Sequence, residues 1–183
     1  SVYFRDKKIW DCGEFYRKQQ GAYPVIYITF KDVKFDNWKD SLEAIRLVIR
    51  DEYMRHADIL SWDGLDVVEK DYLDRMQKGT LSNVEYTRAL LNLSRMLEKY
   101  HNKKIVVLID EYDTPIQQGH SKGFYNEVIT FMRNFMSGGL KDNPALAFGV
   151  LTGILRVSKE NLFSGLNNLV VNSVLDEKYS EYF

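Results

Sequence analysis

The chain has 183 residues, 45% hydrophobic and 28% charged, with a formal net charge of −1. That length and balance predict one globular domain with a substantial core, and the near-zero charge removes a bulk electrostatic case for a nucleic-acid binder. A single cysteine, Cys12, excludes an internal disulfide and fits a reducing cytoplasm, and no apolar run approaches the ~20 residues of a membrane span.

The opening stretch, Ser1 to Trp10, does not resemble a signal peptide and lacks an initiator methionine, so a processed or excised piece is expected. Residues 1–22 show no clean period. A short helix over Asp11 to Gln19, stopped by Gly21, fits them. Tyr23 to Phe30 (YPVIYITF) predicts a strand, and the continuous apolar run Val25 to Ile28 predicts that both its faces are buried. Pro24 stands at its first residue, where a missing donor is tolerated. Asp36 or Asn37 can cap a helix from Trp38. Trp38, Leu42, Ile45 and Ile49 share one face of it, and it is expected to reach Tyr53 to His56. Val67, Val68, Tyr72, Leu73 and Met76 predict a shorter helix ending at Gly79. Ser82 and Glu85 form an S-x-x-E capping box, with Leu81 and Tyr86 at hydrophobic-staple positions. Tyr86, Leu90, Leu93, Leu97 and Tyr100 trace the next helix, left at Asn102.

Lys103 to Pro115 (KKIVVLIDEYDTP) organises the chain. Ile105 to Ile109 are five consecutive apolar residues, mostly β-branched, as in a strand buried on both faces. The run ends in three carboxylates, Asp110, Glu111 and Asp113, and Pro115 forbids simple continuation of the ladder. Ile116 to Gly123 reads as a loop. Phe124, Val128, Phe131 and Phe135 predict a helix that Gly138-Gly139 ends. Leu146 to Thr152 is a further strand, broken by Gly153. Ile154 to Asn168 reads as a loop with one turn near Glu160 to Phe163, and Leu169 to Leu175 as a fourth strand. This alternation predicts an α/β fold with a mainly parallel sheet over residues 1–183, without repeats, linkers or a second domain.

Four or five hydrophobics followed by Asp-Glu match the Walker B pattern of P-loop ATPases. There Asp110 holds Mg²⁺ and Glu111 polarises the attacking water. The bland alternative is a solvated strand end whose acids cap a turn. Thr152, at the neighbouring strand tip, could orient water or sense the γ-phosphate, and Arg156 could contact transferred phosphate charge; an exposed loop arginine is the ordinary alternative. Cys12, His56, His101 and His120 show no metal-ligand spacing, and Cys12 reads as a small buried hydrophobe. A metal-dependent nuclease using Asp110, Glu111 and Asp113 is the rival enzyme, yet Lys103 and Lys104 lie ~16 Å away at the other strand end.

IVVLIDEYDTPI and the block FMRNFMSGGLKDNPALAFGVLTGILRVSKENLFSGLNNL closely resemble the bacterial AAA-ATPase-like family, from about Tyr23 to the end. The resemblance implies a P-loop NTPase-like, three-layer α/β/α fold whose central strand carries Walker B. It puts Asp110 at the metal position, Glu111 at the catalytic position, Thr152 at a sensor-like tip and Arg156 in the loop beyond. It implies Mg²⁺ and ATP as cofactors of a full-length parent and, in that parent, a fused PD-(D/E)XK nuclease-like domain through which nucleic acid becomes a partner. The family's Walker A loop, G-x-x-x-x-G-K-[ST], is not in this sequence; Lys78-Gly79 and Lys122-Gly123 run the wrong way. The family would place that loop just before Ser1, so truncation at both ends is expected, with tight nucleotide binding and turnover by the fragment alone not expected. The alternative is a binding or scaffold module without ATPase activity, whose acidic loop meets a protein or nucleic-acid partner and whose basic residues Arg133, Lys141, Arg156 and Lys159 favour such contact. The resemblance further predicts three parallel strands in the order Val25-strand, Ile105-strand, Leu146-strand. The last strand then loses its neighbour, and the exposed edge invites self-association.

Overall fold

The structure, a computed structural model, describes residues 2–154, 169–173 and 176–177. After a 3₁₀ turn at Val2–Phe4 come two single-turn helices, α1 (Lys8–Asp11) and α2 (Glu14–Arg17). Then follow β1 (Val25–Thr29), α3 (Trp38–Arg55), α4 (Ala57–Leu60), α5 (Val67–Lys78), α6 (Asn83–Thr87) and α7 (Ala89–His101). The order closes with β2 (Ile105–Asp110), α8 (Thr114–Lys122), α9 (Tyr125–Leu140) and β3 (Leu146–Leu151).

The strands form one parallel sheet ordered β1-β2-β3, as expected, with Val25 opposite Val106 and Thr29 opposite Asp110. β3 joins with Ile105 opposite Leu146 and Val106 opposite Phe148, an irregularity that leaves Ala147 as the extra residue. Side chains alternate across this sheet. Ile26 and Ile28 of β1 and Ile105, Val107 and Ile109 of β2 are buried on one face, each burial contributing about 1.5–3 kcal/mol. Against that face α3 packs on β1, α7 on β2 and α9 on β3. The α3 stripe reads Leu42, Ile45, Ile49 and Tyr53, all buried, and Asn37 caps it by accepting from the Asp40 N–H.

The other face corrects the expectation of fully buried strands. Tyr27 is 47% exposed and Phe148 64%, and Val25, Val106 and Leu108 are half-buried. A continuous apolar run therefore does not distinguish a sheet covered on both faces from one covered on a single face among the described residues.

Ile116 to Gly123 is helical, because Pro115 occupies the first turn of α8, where its missing N–H costs nothing, and Gly123 ends it at φ +83°. α9 runs through Gly138-Gly139 to Leu140. A Cβ at Gly139 would overlap Leu90 of α7, so that glycine permits close helix contact and does not stop the helix. Asp11 to Gln19 is split by Gly13, at φ +108°, into separate turns. The Ser82–Glu85 capping box forms, but Arg88 divides the following stripe into α6 and α7. α5 opens on a second capping box, Asp66 with Glu69. The expected helix forms and ends at Gly79, with Leu73 and Met76 buried and Val67 and Val68 exposed. Of the expected fourth strand, residues 169–173 are in no strand, and 174–175 lie outside the described residues, as does the turn near Glu160 to Phe163. Leu169 instead packs on the core and faces a groove of about 620 Å³ along β3, whose walls include Leu140, Asn143, Pro144 and Leu146.

Candidate functional site

The carboxyl ends of the three strands converge on polar residues. The parallel register sets Thr29 opposite Asp110. Thr152 continues β3 beside them, its N–H donating to the Ile109 carbonyl at 2.9 Å and its own carbonyl accepting from the Tyr112 N–H at 3.2 Å. The Thr152 hydroxyl donates to Asp110 Oδ1 at 2.5 Å, and the Thr29 hydroxyl donates to Oδ2 at 3.3 Å. Each carboxylate oxygen of Asp110 is thus held from a different neighbouring strand. The group is half-buried at the rim of the uncovered face, where open α/β sheets place ligands.

Glu111 follows in the left-handed region, φ +50°, a conformation that costs a non-glycine residue about 1 kcal/mol. It turns the chain out of the ladder directly after Asp110. Thr114 compensates: its N–H donates to the Glu111 carbonyl at 3.1 Å and its hydroxyl to Glu111 Oε2 at 3.0 Å. Both acids are therefore oriented by threonine hydroxyl groups.

Asp113 points the other way. It is 1% exposed, and its Oδ2 accepts from Gln117 Nε2 at 2.6 Å and from the Ile154 N–H at 3.1 Å. Asp110, Glu111 and Asp113 consequently form no three-carboxylate cluster, and among the described residues no three His, Cys, Asp or Glu side chains group to hold a metal. One carboxylate flanked by hydroxyls is an oxygen-only donor set, and it suits a small hard cation such as Mg²⁺, which takes one or two carboxylates and completes its shell with water and phosphate oxygens.

Of the sequence candidates, Asp110 and Thr152 meet directly, and Glu111 adjoins them. Arg156 and Lys159 lie outside the described residues. Cys12, expected buried, is exposed. His56 belongs to the far edge of the sheet, 3.1 Å from Glu52. The sequence reading missed Thr29 and Thr114. Thr29 was findable, since all three apolar runs end in a polar residue at the same level; Thr114 was hidden because the turn at Glu111 is set by backbone conformation.

The family model described as "Predicted AAA-ATPase" matches residues 1–163. The chain belongs to this predicted AAA-ATPase family. A curated protein of Azotobacter chroococcum mcd 1, "Uncharacterized protein in vnfD 5'region", is 40% identical over 90 residues, 48% of this chain and 17% of that protein. The match thus spans about a sixth of the relative's length. No solved structure matches the chain. Among the described residues no helix is long and apolar enough to cross a membrane.

Proposed function

We propose that the β2 tip is the metal- and water-handling half of a Mg-ATP site in a larger cytoplasmic ATPase. The observation that carries this reading is the Asp110 carboxylate, held at both oxygens by Thr29 and Thr152 at the end of the central strand, with Glu111 fixed beside it by Thr114. Bound Mg²⁺ supplies charge neutralisation at the phosphates. Asp110 holds that cation, directly or through water. Glu111 orients and polarises the attacking water, and its fixed backbone keeps that geometry without reorganisation during the reaction. Thr152 steers Asp110 and presents a hydroxyl toward the phosphate side. Arg156 is assigned to developing phosphate charge on sequence grounds alone.

The phosphate cradle is assigned to chain outside these 183 residues, consistent with a relative far longer than the match. The β3 edge, unpaired among the described residues, and its groove are the place for the strand that leads to it, and the isolated 183 residues are expected neither to bind ATP tightly nor to hydrolyse it. Self-association through the same edge is the alternative use of that surface. In the full-length protein Glu111→Gln should abolish ATP turnover while sparing nucleotide binding, read by phosphate release and by a fluorescent nucleotide. Wild-type turnover in that variant would sink the reading.

A further inference from the structure

We propose that Asp113 is a positioning residue that latches the chain leaving β3 and thereby keeps Thr152 against Asp110. Its geometry stands alone; its consequence for turnover rests on the ATPase reading above.

A carboxylate almost fully withdrawn from water is costly unless its oxygens are bonded. Asp113, 1% exposed, spends one of those bonds on the peptide N–H of Ile154, at 3.1 Å. The backbone ladder between β2 and β3 has its last rungs at Thr152, through Ile109 and Tyr112. Beyond it the carboxylate takes the place of a strand carbonyl and adds one more rung with a side chain. Gln117 of α8 fixes the carboxylate itself, donating to the same oxygen at 2.6 Å. Gly153 completes the fit. A Cβ there would lie 2.6 Å from Asp113 Oδ1 and 2.9 Å from both Asp113 Cγ and Tyr112 Cε1, so only a residue without a side chain lets the peptide lie flat on the acid.

Thr152 is therefore tied on both sides, by the ladder before it and by the latch after it. Strand ends without such ties open locally at little cost. A frayed Thr152 would release Asp110 Oδ1 and leave only the longer Thr29 bond to orient it. The left-handed turn at Glu111 brings Asp113 under this peptide, which joins the orientation of Glu111 to that of Thr152.

The test uses the full-length protein with three variants: Asp113→Ala, Gly153→Ala and the conservative Asp113→Asn, which retains an acceptor oxygen. Amide hydrogen exchange, nucleotide Kd and kcat are measured on each. Asp113→Ala and Gly153→Ala should speed exchange at residues 152–154 at least tenfold with β1 and β2 unchanged. They should also lower kcat at least tenfold with nucleotide Kd within twofold, and Asp113→Asn should restore most of both. Gly153 is exposed, so its variant keeps the test decisive if Asp113→Ala fails to fold. Unchanged exchange at 152–154 in Gly153→Ala overturns the latch, and faster exchange with unchanged kcat overturns its positioning role. Absence of turnover in the unaltered protein would overturn the ATPase reading and the positioning role with it, while exchange alone still decides the latch.

Discussion

The two edges of the sheet are finished in opposite ways. Beside β1, Glu52, 5% exposed, accepts from the Tyr27 N–H at 2.9 Å, and Arg55 donates to the Val25 carbonyl at 2.6 Å. Side chains thus occupy one donor and one acceptor that a further strand would use. Arg55 also bonds both Glu52 oxygens, at 2.5 and 2.8 Å, so the cap is itself held. β3, in contrast, pairs on one side only among the described residues and looks onto the 620 Å³ groove with Leu169 on its wall. Unpaired edges template association unless they are blocked. The β1 edge is thus the closed one and the β3 edge, among the described residues, the open one; on the proposed function, the open edge is where the phosphate-binding part would dock.

The largest effect should come from breaking the closed edge. Glu52→Ala leaves the Tyr27 N–H without its acceptor and is expected to cost about 2 kcal/mol in urea unfolding. It should also create a second association-prone edge, seen as concentration-dependent light scattering; an equally stable, monomeric variant would break the contrast. Acid sharpens the same point. Burial raises the Glu52 carboxyl, but hydrogen bonds from His56, Arg55 and the Tyr27 N–H outweigh it and hold the group below its ordinary 4.5. Glu85, bonded by Arg75 and Ser82, is held down to about 2. Depressed carboxyls stabilise the fold above their unfolded pKa, and that stability is lost as pH falls through the folded value. Stability should therefore decline from about pH 4.5 toward 2, less steeply in Glu52→Gln.

The smallest effect is expected on the open side. Phe148→Lys places a charge on a 64% exposed site of β3. In the 183-residue chain it should change stability by no more than about 0.5 kcal/mol yet suppress self-association, checked by sedimentation. Undiminished association would mean that the β3 side is not the associating one.

Much of this arrangement was legible in the sequence. Apolar runs at 25–28, 105–109 and 146–151 gave three strands, and the capped, periodic stripes between them gave the crossover helices that force parallel order. Asp110 and Thr152 were legible because both stand where an apolar run stops. What was not legible depends on tertiary context. Gly138-Gly139 looks like a stop signal, yet it is a site where two helices meet; Pro115 looks like a breaker, yet it starts a helix. The burial of Asp113 and the capping of β1 by Glu52 arise from residues 41 and 25 positions from their partners Ile154 and Tyr27, and no local pattern announces either.

On the proposed function, Asp110 holds the cation of a nucleotide complex. Manganese binding to the full-length protein in the presence of ATP, followed by electron paramagnetic resonance, tests it most directly. Asp110→Asn should weaken Mn²⁺ binding at least tenfold while metal-free ATP binds as before. Equal Mn²⁺ affinity in the variant and the unaltered protein would mean that Asp110 is not the cation's ligand.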